Sequence, residues 1–191
     1  YKATAYALLA RTYLSMSDFE NAESYADSCL ALYNTLLDYN TLNAAVARPI
    51  PQLNAEVFFQ SIQIPYGFRN SALINAGLYQ QYANDDLRKV IFFNNSALGG
   101  VTFGGTYTGA ISTFGGIAVD EIFLIRAECR ARAGKTNDAM LDLNVLLVKR
   151  WKTGTFVPFT AATPEEALNI ILAERRKELV FRGLRWTDLR R

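Results

Sequence analysis

Apolar residues recur at helical spacing near the start of the chain, over residues 1–37. A first stripe includes Ala7, Ala10 and Leu14, and the segment Ser-Met-Ser-Asp at 15–18 interrupts it, with Ser17 or Asp18 as the candidate N-cap of the next helix. Residues three or four positions apart lie on one face of a helix, so the pattern predicts two helices joined by a short turn. The second stripe consists of Phe19, Ala22, Ala26, Cys29, Leu30 and Tyr33.

A second pair of helices is predicted for residues 118–151, at about 119–133 and 136–150. Twelve residues separate Ala127 from Ala139, as they separate the corresponding alanines of the first pair. Small residues at matching positions let two helices approach closely, as in tetratricopeptide repeats. The predicted fold class is therefore mainly α, with tetratricopeptide-like helix pairs in an α-α superhelix.

The region between the helix pairs, residues 38–117, lacks the helical spacing of apolar residues that marks the pairs. Partial alternation of apolar and polar residues predicts a strand at 56–64, and residues 77–94 predict a short helix, a turn and a strand. Seven glycines fall within residues 99–116, which predicts a loop or an irregular hairpin. We interpret the region as a loop-rich insert containing short strands.

The last helix has a well-defined start. Thr163 is its predicted N-cap, Pro164 stands at the first helical position, and Glu166 completes a capping box. Its apolar stripe is interrupted by Glu174 and Glu178. A carboxylate on a packed face needs a partner, because a buried unpaired charge is costly.

The 191 residues, half of them hydrophobic, suffice for one domain with a real core. We interpret the chain as a single domain fragment in four parts. These parts are a helix pair at 1–37, the insert at 38–117, a helix pair at 118–151, and a terminal helix at 163–183 followed by a stretch to 191.

The amino-acid composition excludes several kinds of catalytic and metal site. The chain has no histidine, which excludes a Ser-His-Asp triad and any histidine-containing zinc site. The two cysteines, Cys29 and Cys129, are predicted to be buried free thiols. We expect no metal ion and no cofactor. Two adjacent carboxylate pairs, 85–86 and 165–166, give no sign of the facing arrangement that a glycosidase requires.

No run of apolar residues is long enough to cross a membrane. The first residue, Tyr1, already lies inside a helical pattern. We interpret the chain as part of a longer protein, so any targeting segment is expected outside it.

Residues 174–191 carry seven basic and three acidic side chains in a chain whose net charge is only +2. A nucleic-acid surface needs arginines free to reach phosphates, but here acids and aromatic residues are interleaved. We predict a buried or half-buried structural ion-pair network, and no nucleic-acid partner. Its proposed members are Arg126 and Glu128 on a facing helix, with Glu174, Arg175, Glu178, Arg185, Trp186 and Asp188.

The same stretch, ERRKELVFRGLRWTDLRR, is similar to the C-terminal signature of the SusD/RagB family. One departure is Arg182, where the family more often has Glu. Further similarities are the segment TAYALLARTYL, the helix EIFLIRAECRARAG with its partner DAMLDLNVLL, and a strand followed by Tyr82, Asp86 and Arg88. The matching signature residues are Glu174, Arg175, Arg176, Glu178, Leu179, Phe181, Gly183, Arg185, Trp186, Asp188, Leu189 and Arg191.

The resemblance implies a middle to C-terminal portion of a surface-exposed outer-membrane lipoprotein, with a lipid anchor outside this chain. Members of the family bind nutrients, mostly oligosaccharides and some peptides, and pass them to a TonB-dependent transporter of the SusC type. They are binding proteins and not enzymes. The alternative is a tetratricopeptide-like scaffold that binds only protein partners, without glycan.

Sugar ligands favour flat aromatic faces beside amide and guanidinium donors. Two stretches offer them: one with Tyr66, Phe68, Arg69 and Asn70, and the glycine-rich loop with Phe103, Tyr107 and Phe114. We predict the ligand site there. The competing interpretation is that these aromatic rings cover the core under long loops.

Overall fold

The computed structural model describes residues 1–63, 72–97, 99–105, 107–110 and 112–191, and the predicted mainly α fold is confirmed. The helices are α1 (Lys2–Ser15), α2 (Phe19–Leu32), α3 (Ala76–Tyr79), α4 (Arg88–Ile91), α5 (Val119–Arg132), α6 (Thr136–Leu147), α7 (Pro164–Glu178) and α8 (Arg185–Asp188), with a 3-10 turn at Tyr39–Thr41. The strands are β1 (Val57–Phe59), β2 (Ile62–Gln63), β3 (Phe93–Asn95), β4 (Val101–Phe103), β5 (Thr113–Phe114) and β6 (Ile117–Ala118).

Both predicted helix pairs form, and tight turns join their members. Between α1 and α2, Ser17 adopts a left-handed conformation and Asp18 accepts a hydrogen bond from the Asn21 backbone N–H as the N-cap. Between α5 and α6, Gly134 supplies the left-handed turn with φ +78°. The alanines predicted to allow close approach have no exposed surface: Ala10, Ala22, Ala127 and Ala139.

Helix α5 is the centre of the first hydrophobic core. It packs against α2, α6 and α7, and even its two acidic N-terminal residues, Asp120 and Glu121, are buried. The Arg11 guanidinium of α1 binds the Glu121 carboxylate through both oxygens. Helix α7 starts at the predicted N-cap, with the Thr163 side chain accepting from the Glu166 N–H. The predicted capping box is not completed, because the Glu166 carboxylate accepts from the Ala162 N–H and not from that of Thr163. These four helices surround α5 and form the helical layer.

The insert forms three separate two-stranded antiparallel ladders: β1 with β6, β2 with β5, and β3 with β4. The predicted strand at 56–64 is therefore two short strands. The glycine-rich region contributes two strands, β4 and β5, which pair with residues outside 99–116, so it does not form a hairpin of its own. Its other described residues lie outside strands, as the loop prediction expected. Its strands form backbone hydrogen bonds with residues 61–63 and 92–95.

Gly116 shows why glycine is needed where β1 meets β6. A Cβ atom on Gly116 would lie 1.9 Å from the Phe59 carbonyl oxygen and 2.7 Å from the Phe114 ring. Only a residue without a side chain permits this approach. The second hydrophobic core lies beneath the insert and comprises Tyr39, Ile50, Ile74, Tyr82, Ile91, Phe92, Phe93, Val101, Phe103, Tyr107, Phe114, Ala118 and Val180.

Within the described part of the chain, no helix has the length and apolar character that a membrane crossing requires.

Candidate functional site

A buried arginine, Arg88, joins the insert to α7. Its Nε and Nη2 atoms donate to the two carboxylate oxygens of Asp86 at 2.9 and 2.7 Å. The same guanidinium donates to Glu174 at 2.7 Å and to Glu178 at 3.0 Å. The Tyr82 hydroxyl donates to the Lys177 carbonyl oxygen at 2.8 Å. The Tyr82, Asp86 and Arg88 motif therefore binds helix α7 through hydrogen bonds and ion pairs.

A second buried arginine, Arg150, lies on the other side of Glu178. Its Nε donates to Glu178 at 2.7 Å, and its Nη2 donates to Glu56 at 2.8 Å. Its Nη1 reaches the Leu37 carbonyl oxygen at 2.7 Å. Burial alone would raise the pKa of Glu178, but the charges of Arg150 and Arg88 outweigh it and lower that pKa below its ordinary value.

The third buried arginine, Arg182, binds both oxygens of Asp120 and lies over the Tyr107 ring. The Tyr107 hydroxyl donates to Glu56 and also lies 3.2 Å from Asp120. Burial raises the pKa of Glu56 to about 7, which the Arg150 charge opposes and the Asp120 charge reinforces.

We call these side chains the buried charge network. Its members are the carboxylates of Glu56, Asp86, Asp120, Glu174 and Glu178 and the cations Arg88, Arg150, Arg182 and Lys177. It supplies the partners that the sequence required for the two glutamates of α7. Because its members come from the insert, from α5 and α7, and from the segments that follow α6 and α7, the network connects the insert to the helical layer.

A smaller set of ion pairs holds the end of the chain. Arg175 binds Asp188 at 3.1 Å, and Arg191 binds Asp188 at 2.7 Å and Glu128 at 2.9 Å. Glu128, buried on α5, therefore faces the terminal stretch as expected. Arg126 does not face the terminal stretch. Its guanidinium binds Asp27 and Asp142, which lie on α2 and α6. The expectation that Arg126 pairs with the terminal stretch is wrong. Two positions along a helix rotate the side-chain direction by about 200°, so Arg126 faces α2 and α6 on the side of α5 opposite Glu128.

Arg185 and Trp186 are exposed, and the expectation that they are buried is wrong. Trp186 is 73% exposed, and Arg185 forms no salt bridge with any residue that the structure describes. The physical reason is a turn after α7, where Phe181 and Gly183 both have positive φ. After this turn, α8 brings Asp188 back to Arg175, and its one turn of helix leaves Arg185 and Trp186 on the outside.

The two aromatic stretches proposed for ligand binding have different outcomes. Tyr66, Phe68, Arg69 and Asn70 lie outside the described residues. Phe103, Tyr107 and Phe114 are buried in the second core, where they match the competing interpretation that they cover the core. Burial removes these three rings from any surface that a ligand meets in this structure.

Neither adjacent carboxylate pair forms a facing dyad. Both oxygens of Asp86 are taken by Arg88, while Glu166 accepts from the Ala162 N–H in front of α7. Asp85 precedes Asp86 and Glu165 precedes Glu166 along the chain, so neither pair faces its partner across a cleft. No group of side chains with metal-binding potential occurs in the described part of the chain.

Sequence reasoning missed Glu56, Asp120 and Arg150, which are all fully buried. Nothing in their local spacing marks them, because their partners are 28 to 94 positions away. The one usable signal is a charged residue directly beside an apolar run, as in the segment Asn-Val-Leu-Leu-Val-Lys-Arg that ends at Arg150.

An open groove of about 430 Å³ lies where α7, the following turn and α8 meet. We call it the terminal groove. Leu179 and Phe181 form an apolar part, Trp186 stands at its side, and three guanidinium groups line it, from Arg175, Arg176 and Arg185.

The model of the SusD family matches residues 120–191. No curated protein matches the chain. Among solved structures, a SusD-like carbohydrate binding protein from Bacteroides vulgatus superposes with a TM-score of 0.77 at 21% identity, over 98% of this chain and 44% of its own. A SusD superfamily protein from Bacteroides thetaiotaomicron gives 0.71 at 21% identity, over 97% of this chain and 48% of its own.

Surface glycan-binding protein A from Bacteroides uniformis gives a TM-score of 0.68 at 16% identity, over 97% of this chain and 48% of its own. The chain thus spans about half the length of these solved structures. The resemblance to the SusD/RagB family is confirmed, by the family match of residues 120–191 and by a SusD-like fold over the whole chain.

Proposed function

We propose that this protein binds a nutrient glycan at the outer-membrane surface and delivers it to a TonB-dependent transporter of the SusC type. The observation that carries the proposal is the superposition of 98% of the chain on a SusD-like carbohydrate binding protein. The match of the terminal signature to the family model supports it independently. In this proposal the protein is a lipoprotein, anchored by a part outside this chain, and it does no chemistry on its ligand.

The buried charge network suits a protein that captures a ligand on loops. It ties the insert to α5 and α7 through side chains with no exposed surface, such as Arg88 and Arg150. Loops carried on a rigid scaffold lose less entropy when they bind. The helical layer therefore provides stiffness, and the insert provides variable contacts.

The proposed ligand segment, residues 65–70, has apolar neighbours along the chain. Phe59 and Ile62 precede it and are 54% and 51% exposed, and Leu73 follows it at 58%. Exposed apolar side chains grouped along one part of a chain are typical of a binding surface. We propose that Tyr66, Phe68, Arg69 and Asn70 make the ligand contacts there.

The helical layer offers a separate surface for the transporter. On α6 and directly after it, Leu141, Val145 and Val148 are 63%, 42% and 46% exposed. Apolar side chains spaced three or four residues apart form one stripe, which suits a protein partner. This stripe is also the observation that favours the second candidate function, a scaffold that binds protein alone.

A glycan microarray read with the purified protein tests the proposal. We expect retention on at least one polysaccharide class, and reduced retention for the double variant Tyr66→Ala/Phe68→Ala. The control is Leu141→Ser/Val145→Ser, which should keep glycan binding and lose co-purification with the transporter. Failure to bind any glycan or peptide pool, with stable binding of a protein partner, would establish the scaffold instead.

A further inference from the structure

We propose that the terminal groove is a binding site for a carboxylate-bearing sugar, the uronate residue of an acidic glycan. This inference rests on the proposed glycan-binding function and names the class of glycan. The residues that carry it belong neither to the proposed ligand segment nor to the buried charge network.

The groove has an excess of positive charge. Arg176 and Arg185 line it, and neither forms a salt bridge with a residue in the described ranges. Its one carboxylate, Asp188, is already neutralised by Arg175 and Arg191 at 3.1 and 2.7 Å. Two guanidinium groups are therefore left to attract an anion, and a guanidinium binds a carboxylate in a paired geometry that a neutral sugar cannot use.

A buried donor in the wall of the groove also lacks an acceptor. Arg175 is 2% exposed, its Nε donates to Asp188, and its Nη1 has no hydrogen-bond partner in the described part of the molecule. Buried polar atoms are nearly always hydrogen-bonded, because leaving one unpaired is costly. Because Arg175 also lines the groove, an oxyanion held there lies beside a guanidinium whose hydrogen bonds are incomplete.

The apolar part of the groove suits a sugar ring. Trp186 is 73% exposed, which is unusual for so large an apolar side chain, and Leu179 and Phe181 lie beside it. A pyranose has an apolar face of C–H groups that packs on an indole ring, while its substituents point sideways. A uronate combines such a face with a carboxylate at the ring edge. That combination matches an exposed indole bordered by guanidinium groups.

The test compares matched ligands by isothermal titration calorimetry. The probes are tetrasaccharides of galacturonate, mannuronate and glucuronate, each with its methyl ester, which has the same backbone without the charge. We expect the acid form of at least one backbone to bind about tenfold more tightly than its ester, in keeping with the strength of a charge-assisted hydrogen bond. The preference should shrink as salt is raised.

Surface variants locate the site. Arg176→Ala/Arg185→Ala should abolish the preference for the acid form, and Trp186→Ala should weaken the binding of the acid and of its ester alike. Lys152→Ala, which removes an exposed charge outside the groove, should leave both affinities intact. In a Trp151→Phe background, Trp186 is the sole tryptophan, so its fluorescence should change when the acid form binds.

Three results would overturn the inference. If glycans bind without any preference for the acid, if the double arginine variant keeps the preference, or if Trp186→Ala leaves both affinities unchanged, the groove is not the site although the proposed function stands. If no glycan of any kind binds, the proposed function fails together with it. If Trp186 in the full-length gene product is shielded from acrylamide quenching without ligand, a polypeptide segment occupies the groove instead.

Discussion

Arg150 and Glu178 meet inside the protein, where Nε donates to Oε1 at 2.7 Å and neither side chain has any exposed surface. Glu178 belongs to the family signature, whereas Arg150 comes directly after α6, in a segment that no motif marks. The pair joins the terminal helix to the rest of the molecule, and Glu56 extends the connection into the insert.

Replacing Arg150 by Ala should lower the free energy of unfolding by roughly 3–5 kcal/mol, because Glu178 and Glu56 would lose a buried counter-charge. Urea denaturation followed by circular dichroism measures this. The matched control is Arg185→Ala, which belongs to the signature but is exposed and should change the same quantity by less than about 0.5 kcal/mol. Equal losses for the two variants would contradict the structural role assigned to Arg150.

Gly116→Ala should destabilise the protein more than Gly134→Ala does. At Gly116 the new Cβ would lie 1.9 Å from the Phe59 carbonyl oxygen, so β1 and β6 must separate, and we expect a loss of about 3 kcal/mol. At Gly134 a Cβ meets nothing within 4 Å, and the cost is only that of the positive φ, about 1 kcal/mol. Thermal unfolding of both variants checks the order.

Glu56 should make stability fall as the pH rises through neutrality. Its pKa is about 7 in the folded protein, above the ordinary value of 4.5, so the folded state holds the proton more tightly than the unfolded state. The stabilisation is complete below the ordinary pKa and is lost as the pH rises through about 7, with an upper limit of about 3 kcal/mol.

The Glu56→Gln variant isolates this contribution, because an amide does not titrate. Between pH 5 and pH 8, the difference in unfolding free energy between the protein and the variant should fall as the pH rises. Glu178, whose pKa is lowered, contributes in the opposite direction and only at more acidic pH. A difference that stays flat over this range would show that Glu56 is already ionised.

The two cysteines should be unreactive in the folded protein. Burial raises the pKa of Cys29 and of Cys129 to about 12, so almost no thiolate is present at pH 8. We expect Ellman's reagent to titrate neither thiol under native conditions and both in 6 M guanidinium chloride. Rapid reaction of one thiol in the native state would mean that its helix pair opens.

Much of the helical layer could be predicted from the sequence. The starts of α2 and α7 follow from Asp18 and Thr163, whose side chains bond to backbone groups three residues away. The alanines of the two helix pairs marked the packed faces. Such signals are readable because both partners lie within a few positions of each other.

The insert was harder to predict. The ladders pair β1 with β6 and β2 with β5, across about fifty residues, and two-residue strands carry almost no periodicity of their own. Aromatic residues such as Phe103 and Tyr107 occur both in ligand sites and in hydrophobic cores, so the sequence does not distinguish the two roles. Only their place beneath the ladders shows that they are buried.

The sequence by itself determined the helix pairs, the capped terminal helix and the family resemblance carried by residues 174–191, because local hydrogen bonds and side-chain spacing specify them. The tertiary structure alone decided what that stretch does: Glu174, Glu178 and Arg182 turn inwards to Arg88, Arg150 and Asp120, while Arg185 and Trp186 remain outside. The difference arises at Phe181 and Gly183, whose positive φ values turn the chain. The side to which such a turn sends each charge depends on partners far away in the sequence.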